Sequence, residues 1–142
     1  LTFSNYHPGY TLPIAECATG KAYLAFCDRE EREAIIEGWE AIDNESARVG
    51  LLMLGDNYMI NKIRTDGYAT QARNSYNAEP GKTSSVAVPV LTEDGQLIAS
   101  LGVVYFAAAM KVDDAILQLA KPLQETARGI AASMTEQTLV AA

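Results

Sequence analysis

Residues 84–106 leave this chain little choice of local structure. Ser84–Leu91 and Leu97–Phe106 are rich in β-branched and aromatic residues. The turn sequence Thr92-Glu93-Asp94-Gly95-Gln96 separates them, so they read as a β-hairpin. With Asp94-Gly95 at its centre, Leu91 pairs with Ile98, Pro89 with Ser100, Ala87 with Gly102 and Ser85 with Val104 on one face. Val90/Ala99, Val88/Leu101 and Val86/Val103 form the other. A two-residue turn would put Pro89 in a hydrogen-bonded pair that it cannot complete. A four-residue loop, Glu93–Gln96 around a type I turn, keeps the register and avoids that conflict. The bulky face packs on helices. The face carrying Ser85, Ala87, Ser100 and Gly102 lacks side-chain volume, and either a closely packed helix or a ligand fills the space.

The chain is 142 residues long, enough for one domain with its own core. Its formal net charge of −7 and the scatter of its 11 Lys and Arg residues make it a poor nucleic-acid binder by itself. No run of about 18 apolar residues calls for a membrane. The two cysteines, Cys17 and Cys27, and the lack of a signal peptide fit a reducing, cytoplasmic location. They lie at either end of one helical segment, too far apart to be bridged. The start at Leu1, without an initiator methionine, suggests a domain excised from a longer protein.

Taken in order, Leu1–Tyr6 and Tyr10–Ile14 flank the turn signal His7-Pro8-Gly9, so a strand or short hairpin is expected first. A buried helix follows from Gly20 to Cys27, with Thr19 as its N-cap. Its free N–H groups and partial positive charge suit an anion, which makes Thr19-Gly20 a candidate site; a plain cap with a tightly packed glycine is the alternative. Asp28 to Glu31 opens a second helix by a capping box, with Gly38 as its end and Trp39 covering the core edge. Leu51–Thr65 reads as helical, with Asp56 near a start and Gly67 as the stop.

Tyr68–Asn77 reads as a strand that places Gln71, Arg73 and Ser75 on one face and Thr70, Ala72 and Asn74 on the other. Arg73 has the fork geometry to grip a carboxylate, though an exposed arginine is the plainer reading. Pro80-Gly81 turns the chain into Ser84. After Phe106, Asp113 caps a last helix whose stripe runs from Ile116 through Leu123 and Ala127 to Met134, with Pro122 expected to kink it and Thr135–Ala142 to fray.

Catalysis is unsupported. The single histidine, His7, cannot serve a Ser-His-Asp set, and there is no Gly-rich phosphate loop, CxxC or metal-ligand spacing. No metal and no cofactor is expected. One enzyme alternative remains, a small cysteine-dependent enzyme using Cys17 as nucleophile at the helix start.

Several segments then fall into a familiar order: Leu12-Pro13 before Ala18-Thr19-Gly20-Lys21-Ala22-Tyr23-Leu24-Ala25, then Ile63–Ala69, Ser85–Val90 and Asp94–Leu101. Over about residues 10–135 they resemble the C-terminal effector-binding domain of the IclR family of bacterial transcription regulators. The resemblance implies an α/β (α+β) domain with a GAF-like curved antiparallel sheet flanked by helices, spanning 1–142. It implies a homodimer or homotetramer that meets DNA only through an N-terminal winged helix-turn-helix absent from this chain. Val104–Met110 and Tyr23–Cys27 look closest to the branch that controls aromatic-acid breakdown.

By position, the resemblance places a small organic acid between the helix start and the scooped sheet face. Backbone donors at Thr19 and Gly20 would hold it, with Ser85 and Gln71 nearby and Cys17 and Ala87 beside them. Where family members that bind small keto acids present hydroxyls, this chain has Gly102 and Val104, which implies a larger, flatter, aromatic acid. Arg73 replaces an acidic residue common near that position, which favours a role in holding the anion. A GAF-like sensor module of a signalling protein is the other reading outside the family.

Overall fold

The computed structural model describes residues 9, 11–55, 57–76 and 79–140. His7, the Asp56 helix start and the segment expected as a strand over 1–6 lie outside these residues; the expected second arm, Tyr10–Ile14, is not a strand at 11–13 and enters a 3-10 turn at Ile14. A short 3-10 turn, Ile14–Glu16, leads into α1 (Ala18–Phe26), α2 (Arg29–Glu40), α3 (Glu45–Leu54) and α4 (Tyr58–Asp66). Strands β1 (Ala69–Gln71), β2 (Thr83–Leu91) and β3 (Leu97–Phe106) follow, and α5 (Val112–Val140) ends the described chain. The strands form an open antiparallel sheet in the order β1-β2-β3, an α+β arrangement.

The hairpin pairing follows the alternation of side chains. Ser85 faces Val104, Ala87 faces Gly102, Val88 faces Leu101, Pro89 faces Ser100 and Val90 faces Ala99. The turn differs from the four-residue loop. Gly95 adopts φ 84, its amide donates to Thr92 O at 3.0 Å, and the Thr92 amide donates to Gln96 O at 2.9 Å. This is a three-residue loop with glycine in the left-handed position. Leu91 therefore pairs with Leu97 rather than Ile98, and a bulge at Val90/Leu91 restores the register beyond it.

The two sheet faces carry different cores. Val86, Val88 and Val90 are fully buried with Tyr105 against Ala115, Leu123, Ala127 and Ala131 of α5. On the opposite face Ala87 joins Ala18, Ala22, Leu24 and Ala25 of α1, with Ile60 and Ile63 of α4 behind them. Small residues on both sides let the α1 backbone lie close to the sheet.

Several helix limits depart from local signals. Helix α2 continues through Gly38 to Glu40 because Trp39 packs into the α1 core cluster, a tertiary gain that outweighs the low helix propensity of one glycine. Its Asp28 cap is as expected, accepting from the Glu31 amide at 2.8 Å. The helix expected over 51–65 is divided into α3 and α4 at Asn57, which holds φ 57. Gly67 ends α4 in the left-handed conformation, φ 74. Helix α5 starts at Val112, so Asp113 sits in its first turn rather than at its cap, and the helix runs through Pro122 and past Thr135. Among the described residues no helix is long and apolar enough to cross a membrane.

Gly50 and Gly38 offer a direct test of this packing. A Cβ on Gly50 would sit 2.6 Å from the Trp39 ring, whereas one on Gly38 would meet nothing within 4 Å. Gly50→Ala is expected to destabilise the fold by about 1–3 kcal/mol through overpacking. Gly38→Ala is expected to stabilise it by up to about 1 kcal/mol through helix propensity. Urea unfolding of the two variants measures both signs.

Candidate functional site

The start of α1 is capped by a thiol. Cys17 is extended at φ −130 and ψ 150, and its Sγ accepts a hydrogen bond from the Gly20 amide at 3.3 Å. Thr19, expected as the cap, lies inside the first turn. The usual preference for Ser, Thr, Asp or Asn at this position pointed two residues too far along. The Cys17 carbonyl accepts from the Lys21 amide at 3.0 Å. Of the first-turn amides, those of Ala18 and Thr19 have no intrahelical acceptor, since no turn precedes them.

The other end of α1 is held by cations. Arg64 Nε donates to Ala25 O at 2.5 Å, and Arg32 Nη1 donates to Leu24 O at 3.0 Å and Cys27 O at 3.3 Å. These contacts satisfy carbonyls that the helix leaves open and suit its negative end. Burial pushes the Cys27 thiol above its usual range.

Between the start of α1 and the scooped face of the hairpin lies a cavity of about 90 Å³. Cys17, Ala18 and Thr19 line it from α1, Ser85 and Thr83 from β2, and Gly102 and Val104 from β3. Leu12 and Asn74 complete the wall, and none of these lining residues is charged. Part of the scooped face is filled by α1 itself. The Thr19 methyl occupies the place of the missing Gly102 side chain, where a Cβ would come within 2.8 Å of Thr19 Cγ2. The remaining space is empty volume.

Four of the anticipated residues lie outside this lining. Gly20 is pressed against the 3-10 turn, and a Cβ there would sit 2.0 Å from Ile14 O. With its amide turned to Cys17, Gly20 serves close packing. Ala87 is fully buried under α1. Gln71 accepts from Lys21 Nζ at 2.6 Å and donates to Ala72 O at 3.1 Å. Arg73 is exposed, and its Nη1 donates to Gly81 O at 3.4 Å.

The reason for Arg73 is a break in the strand. β1 ends at Gln71 rather than continuing to Asn77, and Arg73 adopts φ 42, with its amide donating to Ser84 Oγ at 3.0 Å. That bend interrupts the alternation of side chains, so Asn74 turns to the cavity in its place. Asn74 is 6% exposed, accepts from the Tyr76 amide at 2.7 Å and donates to Glu16 O at 3.4 Å. Leu12, Ala18, Thr83 and Asn74 were not among the residues the sequence singled out as ligand contacts. For Asn74 the sequence offered only a short amide side chain in a turn-rich stretch. The Glu16 carboxylate close by accepts from Ser46 Oγ at 3.4 Å and from the Tyr76 phenol, whose pKa that hydrogen bond raises.

The fold and this site define an uncharged recess of about 90 Å³ on a helix start. The Cys17 sulfur touches Gly20 N, Ile14 O at 3.8 Å and Thr19 Oγ1 at 3.6 Å. Among the described residues no group of three or more His, Cys, Asp or Glu side chains is placed to hold a metal. Residues 4–132 match the family model for the bacterial transcriptional regulator IclR C-terminal, and the chain belongs to that family of transcriptional regulators.

Solved structures agree on the fold. An IclR family transcriptional regulator from Brucella abortus superposes with a TM-score of 0.68 at 20% identity, covering 90% of this chain and 46% of that one. The Agobacterium tumefaciens repressor BlcR gives 0.67 at 17% identity, covering 89% and 49%. The inducer-binding domain of PobR from Acinetobacter, a double mutant in complex with 3-hydroxybenzoic acid, gives 0.62 at 22% identity, covering 88% and 69%. The chain thus spans about half the length of the Brucella and Agobacterium regulators.

The two ends of this argument at α1 can be measured separately. Cys17→Ala removes the cap and is expected to cost about 1 kcal/mol, while Cys17→Ser keeps an acceptor and loses little of that. Gly20→Ala forces a side chain into backbone and is expected to cost about 3 kcal/mol or more. Urea denaturation followed by circular dichroism gives all three values.

Proposed function

We propose that this chain is the effector-sensing domain of its regulator and that its ligand is a small aromatic carboxylate bound in the α1–hairpin cavity. The observation that carries the reading is the pairing of two first-turn amides, Ala18 and Thr19, with an uncharged recess whose lining they share. A carboxylate there meets donors and the positive end of the helix dipole. The hydroxyls of Thr19 and Ser85 complete its hydrogen bonds. This moves the expected donors one residue back, because the Gly20 amide is already used by Cys17.

The cavity of about 90 Å³ is smaller than the roughly 150 Å³ that holds a benzene ring in an engineered protein core. A ring therefore leaves its carboxylate inside and lies across Gly102 and Val104 at the mouth, where Val104 is 45% exposed. The Thr19 methyl, seated over Gly102, borders it. The PobR domain with its hydroxybenzoate shows that the fold accommodates such an acid in at least one relative, and we extend that to this chain.

In the full protein this domain acts in the cytoplasm as part of a homodimer or homotetramer and reaches DNA through an N-terminal winged helix-turn-helix. Family membership and the chain's negative charge support that division. The domain signals without catalysis. A Cys17 enzyme is disfavoured because its sulfur caps α1, with an amide, a carbonyl and a hydroxyl as its neighbours. The family match separates the chain from a signalling-kinase module.

Calorimetry with benzoate, 3-hydroxybenzoate, benzyl alcohol, pyruvate and glyoxylate tests the proposal. The two aromatic acids are expected to bind, and benzyl alcohol about tenfold or more weakly, the worth of a charge-assisted hydrogen bond. Gly102→Val, which drives out the Thr19 methyl and closes the recess, is expected to weaken aromatic acids at least about tenfold, the scale of one lost ring contact. Thr19→Ser, which removes that methyl and keeps the hydroxyl, is expected to tighten them. Equal binding of pyruvate and benzoate would refute the aromatic assignment.

A further inference from the structure

A second cleft, of about 510 Å³, shares no lining residue with the first cavity. It lies among α1, the ends of α3 and α4, strand β1 and the first turns of α5. Its volume falls within the roughly 300–1,000 Å³ usual for small-molecule sites. Met53, Met59, Ile63 and Ile116 supply apolar wall, and Lys21 supplies a cation.

Lys21 is the feature that the fold alone leaves unexplained. Its half-buried ammonium donates to Gln71 Oε1 at 2.6 Å and to Thr70 O at 3.4 Å, both uncharged acceptors. Among the described residues its nitrogen makes no ion pair, although the chain carries a net charge of −7. An ammonium has three donors, and a partly buried one without a counter-ion is destabilising. Burial lowers its pKa, and the negative charge of Glu16 works against that shift.

The other charges around the cleft restrict what an occupant can be. Lys62 is paired with Asp66 at 2.7 Å, and Asp113 lies in the first turn of α5, where the helix dipole favours it. Lys21 is thus the cation left to attract an anion, while Asp66 and Asp113 repel a second negative charge. The methionines adapt their shape to a flexible chain.

We propose that this cleft is a second effector site, which takes an aliphatic monocarboxylate with its head at Lys21 and its chain along Met53, Met59 and Ile116. The site stands apart from the aromatic-acid cavity, so either assignment can fail without the other.

Calorimetry with octanoate and octan-1-ol on the 142-residue chain tests it. Octanoate is expected to bind one to one, and octan-1-ol at least about tenfold more weakly, for want of the charge-assisted contact. Lys21→Met is expected to reduce octanoate binding to the level of the alcohol. Ile116→Trp, which adds bulk to the cleft wall from α5 and leaves the Lys21 ammonium in place, is expected to weaken both ligands. Gly102→Val is expected to leave octanoate affinity unchanged. No binding of octanoate to the parent chain, undiminished binding by both Lys21→Met and Ile116→Trp, or loss of binding in Gly102→Val would overturn the proposal.

Discussion

The close seating of the first turn of α1 on small residues is the constraint from which the rest of this structure follows. Gly20 lets the helix touch the carbonyl of Ile14, and Gly102 makes room for the methyl of Thr19. Ala87 beneath and Ala18, Ala22 and Ala25 above keep the two backbones near each other. With side chains of ordinary size at these points the helix would ride higher, and its first amides would open to bulk water. Held this low, they line the uncharged recess proposed to receive an anion, to which they offer donors and a dipole end.

The same sheet has an opposite requirement on its other side. Val86, Val88 and Val90 project bulk toward α5, and apolar burial there anchors the hairpin. The recess can thus be hollow because stability is drawn from the valine face. At the far end of α1, Arg32 from α2 and Arg64 from α4 bind its last carbonyls, so the helix joins the recess to two other helices. For a ligand to alter the state of a regulator it must bind one arrangement of these parts more tightly than another. A helix with one end at the recess and the other fixed by two neighbours is placed to register that difference.

Much of this was legible in the residues. The inner hairpin register, from Ser85/Val104 to Val90/Ala99, follows from period two and one buried face, and so does the contrast between the valine face and the scooped face. Other features depended on information that local pattern does not hold. Trp39 carries α2 past Gly38 by packing over Gly50 of the next helix, α3, and against the core cluster, contacts outside its own helix. A thiol makes the α1 cap, against the preference for oxygen. The φ of Arg73 reverses the alternation, so the arginine leaves the site and Asn74 enters it. Lys21 was unremarkable within its helix, because its lack of an ion pair shows only once Thr70 and Gln71 are brought beside it.

A titration of the 15N-labelled chain with sodium benzoate, followed amide by amide in heteronuclear NMR spectra, tests the central claim most directly. The largest shifts are expected at the amides of Ala18 and Thr19, with accompanying changes at Ser85 and Gly102. Shifts confined to other parts of the chain, with Ala18 and Thr19 unmoved at saturation, would contradict a carboxylate seated on the start of α1.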